Sequence, residues 1–134
     1  MTRLRALALA TVFAAAAGLT ACEKEVEAPR DVGVCWAVAI VNGHDLKFNK
    51  VADNQPRIEN CMVELEKVRL NFIRLGSNNR EIMGAYQGSF IWVSPEGVFF
   101  AQTLKGHRYP SLYRDETGRL VIPGAVPATP AGRQ

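Results

Sequence analysis

Three cysteines, two histidines and a few paired acids carry the chemistry this chain has to offer, and their spacing decides what that chemistry is. Nucleophilic catalysis needs a Ser or Cys with a base in reach and a group to orient that base. His44 stands beside Asp45 after Asn42-Gly43, and His107 stands between Gly106 and Arg108. Both are turn positions, and neither has a glycine elbow or a nucleophile motif nearby. Asp115-Glu116 pairs two carboxylates, as glycoside chemistry requires, but adjacent acids just before Gly118 read as turn residues. No phosphate-binding glycine loop and no zinc-ligand spacing occurs. The expectation is therefore a chain with no catalytic residues, no metal and no cofactor.

The cysteine with the most informative surroundings is Cys22. Arg3 and Arg5 give a basic start, Ala6 to Ala17 is apolar apart from Thr11, and Gly18 precedes Leu19-Thr20-Ala21-Cys22. That is the layout of a secretory signal. A membrane span needs roughly 20 apolar residues, and this Ala-rich run is shorter. An ordinary signal cut after Ala21 is the other alternative. Leu19, Thr20, Ala21 and Cys22 resemble, position by position, the lipobox of bacterial lipoproteins: an aliphatic residue, two small ones, then Cys. The resemblance implies cleavage between Ala21 and Cys22, thioether lipidation of Cys22, and acylation of its new amino group with a fatty chain such as palmitate. Three chains bury far more CH₂ than the single myristoyl chain that anchors only marginally. Glu23 stands where the class places Asp for inner-membrane retention, which implies the outer membrane, facing the periplasm.

Once the signal is removed, Arg3 and Arg5 go with it, and 14 basic residues face 13 acidic ones. A near-neutral chain with no basic run gives no electrostatic ground for nucleic acid binding. Lipidation of Cys22 also leaves Cys35 and Cys61 as a pair. In an oxidising compartment the default for such a pair is a disulfide; two separate buried thiols, or half of a metal site, are the competing readings.

The elements that must position these residues follow from pattern. Residues 1–21 form the signal, and 22–32, charged and containing Pro29, read as a flexible tether. One domain fits 33–124. Gly33 to Val41 is a strand with a small face (Cys35, Ala37, Ala39) and a bulky one (Val34, Trp36, Val38, Ile40). Asn42-Gly43 is a hairpin turn signal leading to a second strand through Leu46, Phe48 and Val51. Asp53 or Asn54 is expected to cap a helix with Pro56 in its first turn. Ile58, Cys61, Met62, Leu65, Val68, Phe72 and Leu75 form one apolar stripe, ended by Gly76. Cys61 on that stripe and Cys35 on the small strand face would set the helix across Ala37 and Ala39. A third strand is expected over Tyr86–Val93, with Gly88 marking a bulge. A fourth spans Val98–Leu104, and a last hairpin turns at Asp115–Gly118. Residues 125–134 read as a mobile tail. The fold expected is α+β: ββα followed by three or four strands, an antiparallel sheet of about five to six strands with one long helix on one face.

Tyr86, Phe90 and Trp92 alternate onto one face of that third strand. With Trp36 they would make a strongly aromatic side away from the helix. It is either closed by sheet curvature and the last hairpin or exposed as a binding face. Beyond the signal, Cys35, Cys61 and Tyr86-Gln87-Gly88-Ser89-Phe90-Ile91 resemble small uncharacterised lipoproteins of alphaproteobacterial type, over most of residues 33–124. That resemblance implies a single domain and no activity. The expected function is a non-enzymatic binding or accessory subunit, held by lipid at the membrane with an envelope protein as partner. The alternative is a periplasmic small-ligand or glycan binder using the aromatic face.

Overall fold

A computed structural model describes residues 24–124. The expected signal and lipobox, with Cys22, and the expected tail over 125–134 lie outside the described residues. The elements run β1 (Cys35–Val41), β2 (Asp45–Ala52), α1 (Ile58–Arg74), β3 (Ile82–Tyr86), β4 (Ser89–Ser94), β5 (Gly97–Ala101), β6 (Tyr109–Arg114) and β7 (Leu120–Val121). The strands form one sheet in the order β2-β1-β3-β4-β5-β6-β7, and every pairing is antiparallel. The helix packs on one face. This is the expected α+β architecture, with seven strands where about five to six were expected.

The additional strand comes from Gln87-Gly88. Tyr86–Val93 is not one strand but a hairpin, with Tyr86 opposite Ser89, Ala85 opposite Phe90 and Met83 opposite Trp92. Gln87 (φ 41°) and Gly88 (φ 85°) both have positive φ, as a type I′ two-residue turn requires. Gly88 is thus a turn residue and not a bulge. The reversal changes the faces: Tyr86 joins the helix-side core with Cys35, Cys61 and Ile91, whereas Phe90 and Trp92 point to the opposite side.

The helix is fastened to the sheet near its N-terminal end. Cys35 and Cys61 form a disulfide with their Cα atoms 5.2 Å apart. Cys61, Met62 and Leu65 are fully buried. Gly84 is the site of closest approach: a Cβ there would strike Leu65 Cδ1, and would lie 2.8 Å from both Leu65 Cδ2 and the Trp36 carbonyl oxygen. The cap differs from expectation. The N-cap is Arg57, with no side-chain hydrogen bond; Asp53 instead pairs with Lys50 at 3.2 Å, and Asn54 takes a left-handed φ of 53°. At the other end the amides of Gly76 and Ser77 donate to the Ile73 and Phe72 carbonyls, the expected glycine termination. The apolar stripe is buried only in its first half, since Phe72 and Leu75 remain 48% and 75% exposed.

The far face has its own core: Ala85, Phe90, Trp92 and Ala101, with Trp36, Val38, Leu46, Phe48 and Met83 around it. It is covered by connections and not by a second layer. Leu104, between β5 and β6, packs on it, and Arg108 lays its guanidinium 4.0 Å over the Trp92 ring. Ala28, in the stretch expected as a tether, is 4% exposed on the same cluster. The Gly88 amide donates to the Pro29 carbonyl at 2.8 Å, and the Gly33 amide donates to Gln87 Oε1 at 2.8 Å. The tether therefore differs from expectation at Ala28 and Pro29, which are docked because a small apolar residue followed by a carbonyl meets the open side of the β3–β4 turn.

Candidate functional site

The residues with chemical potential are dispersed. His44 is exposed at the β1–β2 turn, 3.4 Å from Asp45. His107 lies edge-on to Tyr109, with ring centroids 4.7 Å apart. Asp115 accepts hydrogen bonds from the amides of Thr117 and Arg119 and from the Thr117 hydroxyl. That hydroxyl bond, ahead of the backbone ones, holds the Asp115 carboxyl below the ordinary range; it is a turn residue. Among the described residues no group of His, Cys, Asp and Glu is placed to hold a metal ion. No helix among them is long and apolar enough to cross a membrane.

The aromatic set is divided. Tyr86 lies under the helix, its hydroxyl donating to the Gln55 carbonyl at 2.7 Å. Phe90 and Trp92 are buried on the far side, and Trp36 is half-buried with its Nε1 lacking an acceptor among the described residues. These four residues present no common flat platform to solvent. A stacking surface for a sugar ring needs exposed ring faces, and Phe90 is fully buried.

The sequence reading missed a compact ionic cluster. Glu66 accepts from both Arg69 and Arg114. Arg69 Nε and Arg114 Nη1 each lie 2.7 Å from the Glu66 carboxylate, and both contacts are bidentate. Arg114 also donates to the Ser94 and Gly118 carbonyls, and Arg69 to that of Arg80. Through Arg114, the Glu66 carboxylate ties α1 to β6, to the end of β4 at Ser94 and to the β6–β7 turn at Gly118. Burial pushes the Glu66 carboxyl up, but the hydrogen bonds from Arg69 and Arg114 outweigh it and hold it below its ordinary value. The signal was present: Arg69 sits four residues after Leu65, where the apolar stripe calls for an apolar side chain.

Among the described residues there is a cleft of about 640 Å³. It lies between the C-terminal half of α1 (Val68, Phe72) and the small face of β1 (Ala37, Ala39), and runs round to Ile82, Met83 and Trp92. Asn49, Ser77 and Asn79 supply amides and a hydroxyl. Arg108, 3.6 Å from Glu81, closes one end. The volume falls within the range of ligand sites, and an apolar wall with a polar rim suits recognition more than chemistry. No family model matches this chain, and comparisons with curated proteins and with solved structures find no match.

Proposed function

We propose that this protein is a lipid-anchored envelope lipoprotein whose domain acts as a non-enzymatic binding or accessory subunit of a periplasm-facing assembly at the outer membrane. The observation that carries the reading is the pairing of a lipobox, Leu19 to Cys22, with a disulfide in the domain's core. Disulfides persist in oxidising compartments and are rare where thiols are kept reduced, so the core suits a chain exported beyond the cytoplasm. Glu23 after the lipidated cysteine supports outer-membrane sorting. The dispersed histidines and turn-bound carboxylates favour recognition over catalysis, and the cleft beside β1 gives recognition a location.

The test is crosslinking in intact cells, purification under denaturing conditions, and identification of what is joined to the chain. One envelope protein recovered in near-equal amount is the expected result. Recovery of the chain alone refutes the accessory-subunit reading. Replacing Cys22 with Ala in parallel should move the protein out of the membrane fraction.

A further inference from the structure

We infer that the fork between β1 and β3 docks a short extended segment of a partner polypeptide, apolar at alternate residues and acidic at its flanks, which adds as a strand to β1 at Ala39–Val41. This rests on the accessory-subunit reading for the partner being a protein, and on the geometry below for the place and the chemistry.

Three observations converge on the fork. The first is an unpaired backbone edge. Pairing of β1 with β3 ends at Val38 opposite Met83, whereas pairing of β1 with β2 continues to Val41 opposite Asp45. Ala39, Ile40 and Val41 are therefore laddered on one side only, among the described residues; N–H and C=O directions alternate along a strand, so the groups that face the fork are those of Ile40. The cleft is lined by Ala37, Val38, Ala39 and Ile40 in succession. Ala37 and Val38 are still paired with β3, opposite Gly84 and Met83, so the cleft meets the open edge at Ala39 and Ile40. An exposed edge flanked by an apolar cleft is the geometry of strand addition, in which the main chain supplies affinity and side-chain pockets supply selectivity.

The second is an unmet apolar stripe. Val68 and Phe72 continue the row of Met62 and Leu65, yet Phe72 is 48% exposed, and on the other face of β1 Ile40 is 62% exposed. Ala37 and Ala39 are too small to fill the gap beneath them. An apolar side chain from an added strand would enter between Phe72 and Ala39.

The third is charge. Lys47 lies opposite Ala39 and Asp45 opposite Val41, Arg74 ends the helix two residues after the cleft residue Phe72, Arg80 stands in the chain between the cleft residues Asn79 and Glu81, and Arg108 lines the cleft itself. Arg74, Arg80 and Lys47 have no carboxylate within ion-pair distance among the described residues, while Arg108 has Glu81. The excess is positive, so acidic flanks complement it. An acyl chain would fill the apolar space but make no use of the free N–H and C=O groups, nor of Asn49 and Asn79; the polypeptide is favoured for that reason.

The experiment pans a random-heptapeptide display library against the mature, lipidated chain in nanodiscs, then measures a synthetic peptide of the enriched consensus. Expected are alternating apolar residues with acidic ends and slowed amide exchange at Ile40 on binding, with the Val41 amide, which faces β2, unchanged. Ala39→Trp, which fills the cleft, should weaken binding about tenfold or more, and so should Arg74→Glu combined with Arg80→Glu. Both variants should keep the thermal midpoint of the parent, which separates lost docking from lost folding. No enriched consensus, or a consensus indifferent to Ala39→Trp, overturns the proposal. So does dodecanoate slowing no amide of β1 yet displacing every selected peptide, which would assign the cleft to an acyl chain. If cells yield no crosslinked protein while the consensus still adds to β1, the accessory reading fails and the fork stands. A recovered partner whose crosslinks avoid residues 39–41 overturns the fork alone.

Discussion

Replacing Gly84 with Ala probes the seating of the helix directly. Gly84 pairs with Ala37 on one side and Ile91 on the other, beneath Leu65. A methyl group there meets three atoms at distances that real Cβ atoms do not tolerate: both Leu65 methyls and the Trp36 carbonyl oxygen. Leu65 is fully buried against Met62 and the disulfide, so its methyls swing away only by displacing neighbours. The Trp36 oxygen is backbone and moves only with β1. Overpacking of this kind costs about 1–3 kcal/mol. Ala returns roughly 0.5–1 kcal/mol because it loses less backbone freedom than Gly in a strand. The net expected loss is about 1–2 kcal/mol, or roughly 5–15 °C in thermal midpoint for a domain of this size. Circular dichroism melts of the oxidised protein measure it. Adding Leu65→Ala should remove part of the clash, so the double variant should lose less than the sum of the two single losses. A Gly84→Ala protein as stable as the parent, or losses that simply add, would refute the close packing on which the helix position depends.

Three further outcomes follow from the same packing. Reducing the Cys35–Cys61 bond, or replacing both residues with Ala, should lower stability by roughly 3–4 kcal/mol, from closure of a loop spanning a separation of 26 residues; denaturant melts with and without reductant measure it. Glu66→Gln should cost about 2–3 kcal/mol, less than breaking a fully buried pair because water reaches the cluster's edge. Because the folded Glu66 carboxyl lies below its ordinary value of 4.5, its contribution is complete above that pH and is lost as pH falls through the folded value; the parent should lose stability there, and Glu66→Gln should flatten that slope. Gly88→Ala should cost about 1–2 kcal/mol, since its φ of 85° suits an L side chain poorly, and a midpoint unchanged within error would contradict the type I′ turn.

Elements with strong periodicity were legible in the sequence. The helix follows from Cys61, Met62 and Leu65 at spacings of three and four, and its place on the sheet from Cys35 and Ala37 sharing a small strand face. The β6–β7 hairpin follows from Asp115–Gly118. The β3–β4 hairpin was not legible, because Gln is an unusual first residue for a type I′ turn and the alternation of Tyr86, Phe90 and Trp92 happens to run through it unbroken. Gln87 earns that position through tertiary contact, its side chain accepting from the Gly33 amide, which no local pattern records. The ionic cluster was hidden for a similar reason: Arg114 lies 48 residues from Glu66. The cleft was invisible because Val68, Phe72 and Leu75 carry a core-like pattern; only the fold shows that Phe72 and Leu75 stay exposed beyond the alanine face of β1.

The most direct measurement is the mass of the N-terminal peptide released from protein isolated with its native membranes. A mature lipoprotein gives a chain beginning at Cys22 and carrying a thioether-linked diacylglyceryl group and an N-acyl chain. A peptide beginning at an unmodified Cys22, or one retaining residues 1–21, would contradict the lipid anchor and with it the membrane-bound function proposed.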